Sequence, residues 1–458
     1  LRNHEHLFSL PMGLLTRLQA REREGRPIRV AVVGAGQMGA SLCRRLGRLP
    51  GFALVGVCDV VPGRAATALA HAGVVAGAAE SGAEARRLAD ARRAVATTRA
   101  DVLMDLPDVD AVVDATGDPE AGARLALAAL GRRRVLVTLN VEAEATVGPV
   151  LAWTARAAGV GYTLAAGDEP AVLAELVEFA RLVGLEVVCA GKGKNNRLDR
   201  TATAASVALE AAQRGMSPRM LAAFVDGTKT MAELAVLANA TGLLPDRAGL
   251  HGPRADLADL LRVFVPAADG GILQRTGVVD FAVGDVAPGV FVVGRADDAA
   301  LQRDLAYLRM GAGPYYLLYR PYHLASLEAP LTIARAVLDG EITLAAAGAP
   351  VAECVAAAKR DLRPGETLDG IGGATVYGVT LAADEARARE TVPVGVAAGA
   401  RVRRPVARDA LLTAADVQLD EALTVVHLRR LQDALVRDGT LPPVAAEAGR
   451  LPAAAGST

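Results

Sequence analysis

The sequence predicts an α/β fold: a Rossmann doubly wound parallel sheet, an α+β central domain and a small β-rich C-terminal domain. Three observations carry this. A β-rich run, Ile28 to Val33, leads into Gly34-Ala35-Gly36-Gln37-Met38-Gly39 and then a helical stretch to Leu49. Apolar strands and helical stretches then alternate as far as residue 139, as in a parallel sheet covered on both faces. From about residue 350 the texture changes to short strands, Pro-Gly turns and small helices.

Taken in order, residues 8 to 24 carry apolar residues at helical spacing and predict a leading helix against the first domain. After the glycine turn come a strand from Ala53 to Cys58, a helix-rich segment over 63–93 and a strand from Val109 to Val113. A helix over 119–130 and a strand from Val135 to Leu139 complete the alternation. Leu151 to Ala158 and Ala171 to Val183 read as helices, and Gly184 to Ala190 as a strand feeding a polar loop, 191–200. Residues 202–242 read as mostly helical, 277–283 and 290–293 as strands, and 313–340 as an aromatic cluster followed by a helix. The expected domains are an N-terminal helix (1–26), a dinucleotide-binding domain (27–165), a central α+β domain (166–345), a C-terminal domain (346–437) and a disordered tail (438–458). The last helix of the central domain is expected to return to the first.

Composition excludes several classes. The chain has 458 residues and is 52% hydrophobic but only 3% aromatic, so its cores must be built from Ala, Val and Leu. With 50 Lys+Arg against 51 Asp+Glu, it offers no electrostatic case for nucleic acid or an anionic membrane. Cys43, Cys58, Cys189 and Cys354 show no C-x-x-C spacing, which fits a reducing cytoplasm rather than a disulfide framework. No apolar run approaches a membrane span, and Leu1 to Arg26 lacks the apolar core of a signal peptide.

Gly34-x-Gly36-x-x-Gly39 between a strand and a helix is the dinucleotide fingerprint in its required context. The first glycine permits the turn, the second lets the backbone approach a pyrophosphate, and the third lets helix and strand pack closely. Gln37 and Met38 open the helix, whose free N–H groups suit phosphate. Asp59, ending the second strand, suits a ribose diol and favours NAD(H), while Arg64 stands ready to pair with a phosphate and keeps NADP(H) open. Thr116 and Gly117 end a later strand at the ligand-binding edge, and Asn140 and Glu142 end the next; all four are candidate cofactor contacts.

The candidate catalytic residues are cations. Lys192 and Lys194 sit in a Gly-flanked run with Asn195, Asn196, Arg197 and Asp199 that suits a carboxylate or phosphate. A lysine here can polarise a carbonyl or protonate an alkoxide. The chain is otherwise Lys-poor, which singles these residues out. Lys229, after Asp226, lies near the start of a helix, where the dipole disfavours a cation unless an anion is close. His323, beside Tyr322 in a tyrosine-rich segment, is a candidate acid/base or metal ligand. No spacing marks a metal site.

These motifs, with Asn140-Val141-Glu142, Gly167-Asp168-Glu169-Pro170 and Pro321-Tyr322-His323-Leu324, resemble homoserine dehydrogenase-like oxidoreductases. The similarity is greater to the deoxyxylulose phosphate reductoisomerase-like subgroup with a C-terminal SAF domain. That domain is suggested by Ala358-Lys359-Arg360-Asp361-Leu362, Pro364-Gly365-Glu366, Tyr377-Gly378 and Pro393-Val394-Gly395-Val396. The resemblance implies a central catalytic/dimerisation domain, a homodimer, and hydride transfer between NAD(H) or NADP(H) and a small anionic carbonyl or hydroxyl substrate in a biosynthetic pathway. The lysines would bind substrate and move the proton. Two alternatives stand beside this: a reductoisomerase, which would add a divalent metal, and a non-catalytic nucleotide sensor with a SAF sugar-acid-binding module. Asp59 departs from the NADPH use expected of the former.

Overall fold

The computed structural model describes residues 13–444. The leading helix, α1 (Leu14–Arg23), starts after Gly13, whose backbone is extended; residues 1–12 and 445–458 lie outside the described residues. The part of the expected tail that is described, 438–444, packs with Leu441 buried and Pro442 O accepting from Ala349 N at 2.7 Å.

Among the described residues, seven parallel strands build the first sheet: β1 (Ile28–Val33), β2 (Phe52–Cys58), β3 (Ala76–Ala78), β4 (Ala94–Thr97), β5 (Ala111–Asp114), β6 (Val135–Thr138) and β7 (Tyr162–Leu164). Their order is β3-β4-β2-β1-β5-β6-β7. The order reverses between β1 and β5, and the crevice above that point is where open α/β sheets bind ligands. The connecting helices are α2 (Gln37–Leu46), α3 (Arg64–His71), α4 (Gly82–Asp90), α5 (Ala100–Met104), α6 (Pro119–Gly131) and α7 (Val141–Ala158).

Helix α7 starts ten residues before the sequence reading placed it, because Gly148-Pro149 reads as a break. The helix continues through Pro149, and the Val150 N–H donates to Gln432 Oε1 at 3.2 Å.

The chain enters the central domain through α8 (Glu169–Leu182) and β8 (Glu186–Gly193). Next come α9 (Ala208–Gln213), α10 (Pro218–Val225), α11 (Thr228–Thr241), β9 (Leu244–Pro245), α12 (Leu260–Val263), β10 (Val278–Ala282), β11 (Val290–Arg295), α13 (Ala299–Tyr307), β12 (Tyr315–Arg320) and α14 (Ala325–Asp339). The sheet order is β12-β11-β8-β10-β9, so β8 is its middle strand. Lys192 is therefore not in a loop: it faces Phe281 of β10 on one side and Val290 of β11 on the other. The tyrosine-rich segment is the edge strand β12.

Helix α14 lies against α2 and buries Ala329, Ile333 and Ala334 in the core beneath β1. The chain thus crosses between the domains twice. The crossings are tied together where Leu164 N donates to Leu344 O at 2.7 Å and Ala166 N to Thr332 Oγ1 at 2.8 Å.

The C-terminal region contains β13 (Ala352–Ala358), β14 (Val376–Ala382), α15 (Ala383–Ala388), β15 (Arg401–Val402), β16 (Val417–Gln418) and α16 (Thr424–Arg437). The antiparallel pair β13–β14 packs on α11. Gly378 N donates to Thr228 Oγ1 at 2.8 Å, Thr380 Oγ1 to Met231 O at 2.9 Å, and Asn239 bonds Val351 and Ala352. Helix α16 returns to the first domain, where Val425 N donates to Glu120 Oε2. A continuous apolar core runs from Val112 through Leu234 of α11 to Val355's neighbours Cys354 and Ala356 and on to Leu428. Among the described residues no helix is long and apolar enough to cross a membrane.

Candidate active site

A cavity of about 1790 Å3 runs along the carboxyl edge of the first sheet and ends against β8 and α11. Its floor is the glycine turn. Gly34 takes φ +96, and a Cβ there would meet Ala115 O at 2.5 Å. Gly39 is pressed against the turn, where a Cβ would lie 1.8 Å from Gly34 O. At Gly36 a Cβ would meet nothing within 4 Å. Gly36 caps α2 without a side-chain hydrogen bond, and the first turn holds no acid. Its N–H groups, which lack intrahelical partners, therefore have no acid of their own turn beside them. This open, uncapped helix end fits a dinucleotide pyrophosphate.

Gly34, Gly36, Gln37, Met38, Asp59, Arg64, Thr116, Gly117 and Glu142 line the cavity. Asp59 accepts from Ala35 N at 2.7 Å and Val61 N at 2.8 Å, so it also pins the turn, and Arg64 approaches it to 3.9 Å. Asn140 is placed elsewhere. It is fully buried, donates to Asp114 Oδ2 (3.0 Å), Thr116 Oγ1 (3.1 Å) and Asp118 O (2.8 Å), and caps α7 by accepting from Ala143 N. Its bonding capacity is used in holding the sheet edge together.

At the far end the cavity is walled by Asp168, Glu169, Lys192, Lys194, Lys229, Glu233 and His323. The Lys192 ammonium donates to Glu169 Oε1 at 2.6 Å and also to Glu233. Burial opposes that charge, but the two carboxylates outweigh it and raise the Lys192 pKa. The shared ammonium separates its partners. Burial works against the Glu169 carboxylate too, yet Lys192 and His323 hold it down to about 2. Glu233 is pushed up by burial and by the Glu169 charge. Lys229 lies 3.1 Å from Glu142 and 3.9 Å from Glu233. The anion that offsets its place at the start of α11 is thus a side chain of the first domain. Burial raises Asp168, with Lys229 pulling it partway back.

Lys194 differs. Its Nζ donates to Phe224 O and to no carboxylate. Burial, then the Lys192 charge, brings it down to about 8. His323 presents Nδ1 to Gly167 O at 3.2 Å and Nε2 to Glu169 at 3.3 Å, so it orients that carboxylate.

One oxygen each from Asp168, Glu169 and Glu233 fall within 4.8 Å of one another, a grouping that sequence spacing did not reveal. Lys192 already rests on two of the three, Lys229 lies 3.9 Å from Glu233, and burial raises Asp168 and Glu233, so the ammonium groups take the place a resident divalent ion would need and the group does not fit one.

Asn195 and Asn196 line the cavity, with Arg214 and Arg124 nearby on its wall. Four other candidates lie outside it. Arg197 pairs with Glu210 at 3.0 Å on the surface. Asp199 closes a turn on Thr201. Tyr322 is half exposed beneath the Arg320 guanidinium. Asp226 is buried below α11, where it accepts from Thr228 N at 2.8 Å and pairs with Lys359. Glu169 carried a usable signal in the sequence: Asp168-Glu169-Pro170 is a helix start, with Asp at the cap and Pro in the first turn.

Residues 167–329 match the family described as Oxidoreductase DRL, catalytic domain. That span holds every side chain at the far end of the cavity except Glu142. The chain is an enzyme of the oxidoreductase class, with a Rossmann domain preceding the matched segment. No curated protein matches it. Distant likeness extends to myo-inositol 2-dehydrogenase from Lactobacillus plantarum (13% identity, 69% of this chain and 91% of that one, TM-score 0.39). It extends also to scyllo-inositol dehydrogenase from Lactobacillus casei, solved with NAD(H) and scyllo-inositol (13%, 69% and 90%, 0.39). At that distance the likeness says nothing about chemistry.

Proposed function

We propose that this oxidoreductase transfers a hydride between NAD(H) or NADP(H) and a small substrate bearing a carbonyl or hydroxyl next to an anionic group. The observation that carries the reading is the continuity of the cavity: the bare amides that open α2 and the Lys192–Lys194 wall belong to the same space. A bound nicotinamide supplies or takes the hydride. The chain supplies the proton and the orientation.

Magnitudes choose the proton donor. Lys192 and Lys229 are held charged by buried carboxylates and give up a proton reluctantly. Lys194, at about 8, can hold a proton at neutral pH and release it to the oxygen that becomes a hydroxyl. In oxidation the same amine accepts it. Lys192, fixed by Glu169 and Glu233, donates a hydrogen bond to that oxygen, and His323 keeps Glu169 in place. Asn195, Asn196 and Arg214 meet the anionic group. Asp59 favours NAD(H), since a 2′-phosphate beside it would be repelled.

The test is titration of the purified chain with NADH and NADPH, followed by turnover on hydroxy acids, aldehydes and sugar phosphates, with and without chelator. Binding of a reduced nucleotide and turnover lost in Lys194→Met support the reading. No nucleotide binding, or full turnover in that variant, overturns it.

A further inference from the structure

The chain has four lysines, Lys192, Lys194, Lys229 and Lys359, among 50 basic residues. All four are buried. Surface cations here are arginines, so a lysine marks a place where a compact ammonium is needed. Three of the four wall the cavity. Lys359 does not: it comes from the C-terminal domain, at the end of β13, and is 4% exposed.

Its ammonium donates to Ala202 O at 2.5 Å and Gly373 O at 2.7 Å and pairs with Asp226 Oδ2 at 2.8 Å. Asp226 in turn accepts from Thr228 N with its other oxygen, at the left-handed Gly227 turn between α10 and α11. Lys229 is the next residue of α11, and Glu233 follows it one turn on. A chain of direct contacts therefore leads from the C-terminal domain to the wall of the cavity. We propose that Lys359 is a positioning residue for the reaction: it clamps Asp226, so that the turn into α11 and the charge facing Lys194 are both set by the C-terminal domain.

The proposal rests on the reading of Lys194 as proton donor and adds what controls it. The charges Lys194 senses are Lys192 of β8, Asp226 at the end of α10 and Glu233 of α11. Glu233 and Lys192 already pair with each other. Asp226 is balanced by Lys359 alone among the cations it contacts. Removing Lys359 leaves the Asp226 carboxylate to draw a proton onto Lys194.

The test uses the full chain and three variants: Lys359→Met, Asp226→Asn with Lys359→Met, and Asp226→Asn alone. Competitive acetylation with acetic anhydride across pH, read by peptide mass spectrometry, follows the ionisation of Lys194 without any substrate. In Lys359→Met the midpoint is expected to rise by about 0.5 pH unit or more and to fall back in the double variant. Where turnover is measurable, kcat falls about tenfold while the nucleotide Kd holds. An unmoved Lys194 midpoint in folded Lys359→Met, or a double variant that does not return it, overturns the proposal. Should Lys359→Met fail to fold, Asp226→Asn decides: a lowered Lys194 midpoint supports the clamp and an unchanged one overturns it. A wild-type chain without turnover on any substrate counts against the proposed reaction, whereas the acetylation result stands apart from it.

Discussion

Lys229 Nζ stands 3.1 Å from Glu142 Oε1, and the two residues belong to different domains. Lys229 opens α11 in the central domain, and Glu142 lies in the first turn of α7, beside the nucleotide edge of the first sheet. Both are buried, so this ion pair fixes how the central domain meets the Rossmann domain.

Breaking such a pair from one side strands a buried charge. Lys229→Met is expected to destabilise the chain by about 3–5 kcal/mol. Adding Glu142→Gln should recover more than half of that loss. Urea midpoints of the wild type, both single variants and the double variant check this; purely additive losses would contradict the coupling.

The three glycines of the turn should separate into different roles. Gly36→Ala places its Cβ in open space at the helix cap, so stability should stay within about 1 kcal/mol of wild type. Its nucleotide Kd should rise about tenfold or more, because the side chain occupies the pyrophosphate's place. Gly39→Ala drives a Cβ onto Gly34 O and should cost about 1–3 kcal/mol before any ligand is added. Thermal melts with and without NADH distinguish the two.

On the proposed role of Lys194 as proton donor, reduction uses its ammonium form, which burial and the Lys192 charge bring down to about 8. The kcat for reduction should be flat below that pH and fall above it, while oxidation should show the opposite limb. Lys194→Met should lose about 10²–10⁴-fold in kcat and lose the limb with it. A limb that survives the substitution assigns the titration to another group.

Glu144 is buried beside Tyr162, and burial raises it to about 7, against 4.5 ordinarily. A carboxyl raised by folding adds stability that is fully present below pH 4.5 and is lost as pH rises through 7. The wild type should therefore lose on the order of 3 kcal/mol relative to Glu144→Gln between pH 4.5 and pH 8. Urea midpoints of both proteins across that range measure the difference.

Strand, glycine turn and helix were legible in the sequence because each is a local pattern: Ile28–Val33, Gly34 to Gly39 and the start of α2 need no distant partner. The scarcity of lysine likewise pointed to Lys192, Lys194 and Lys229. The partners of those lysines were not legible. Glu169, Glu233 and Glu142 reach them from three helices, and only the packing of α7, α8 and α11 brings them together. Lys192 read as a loop residue because glycine and lysine are poor strand formers; carboxylates on the face of β8 make its position tenable. Asp226 read as a substrate contact because its partner, Lys359, lies in another domain.

The double crossing between the first two domains has a practical consequence. Produced as two pieces divided between Leu164 and Glu169, the first half would still be held by the second, because α14 packs on α2 and Leu344 accepts from Leu164 N. Two bands on a denaturing gel would then migrate as a single species under native conditions.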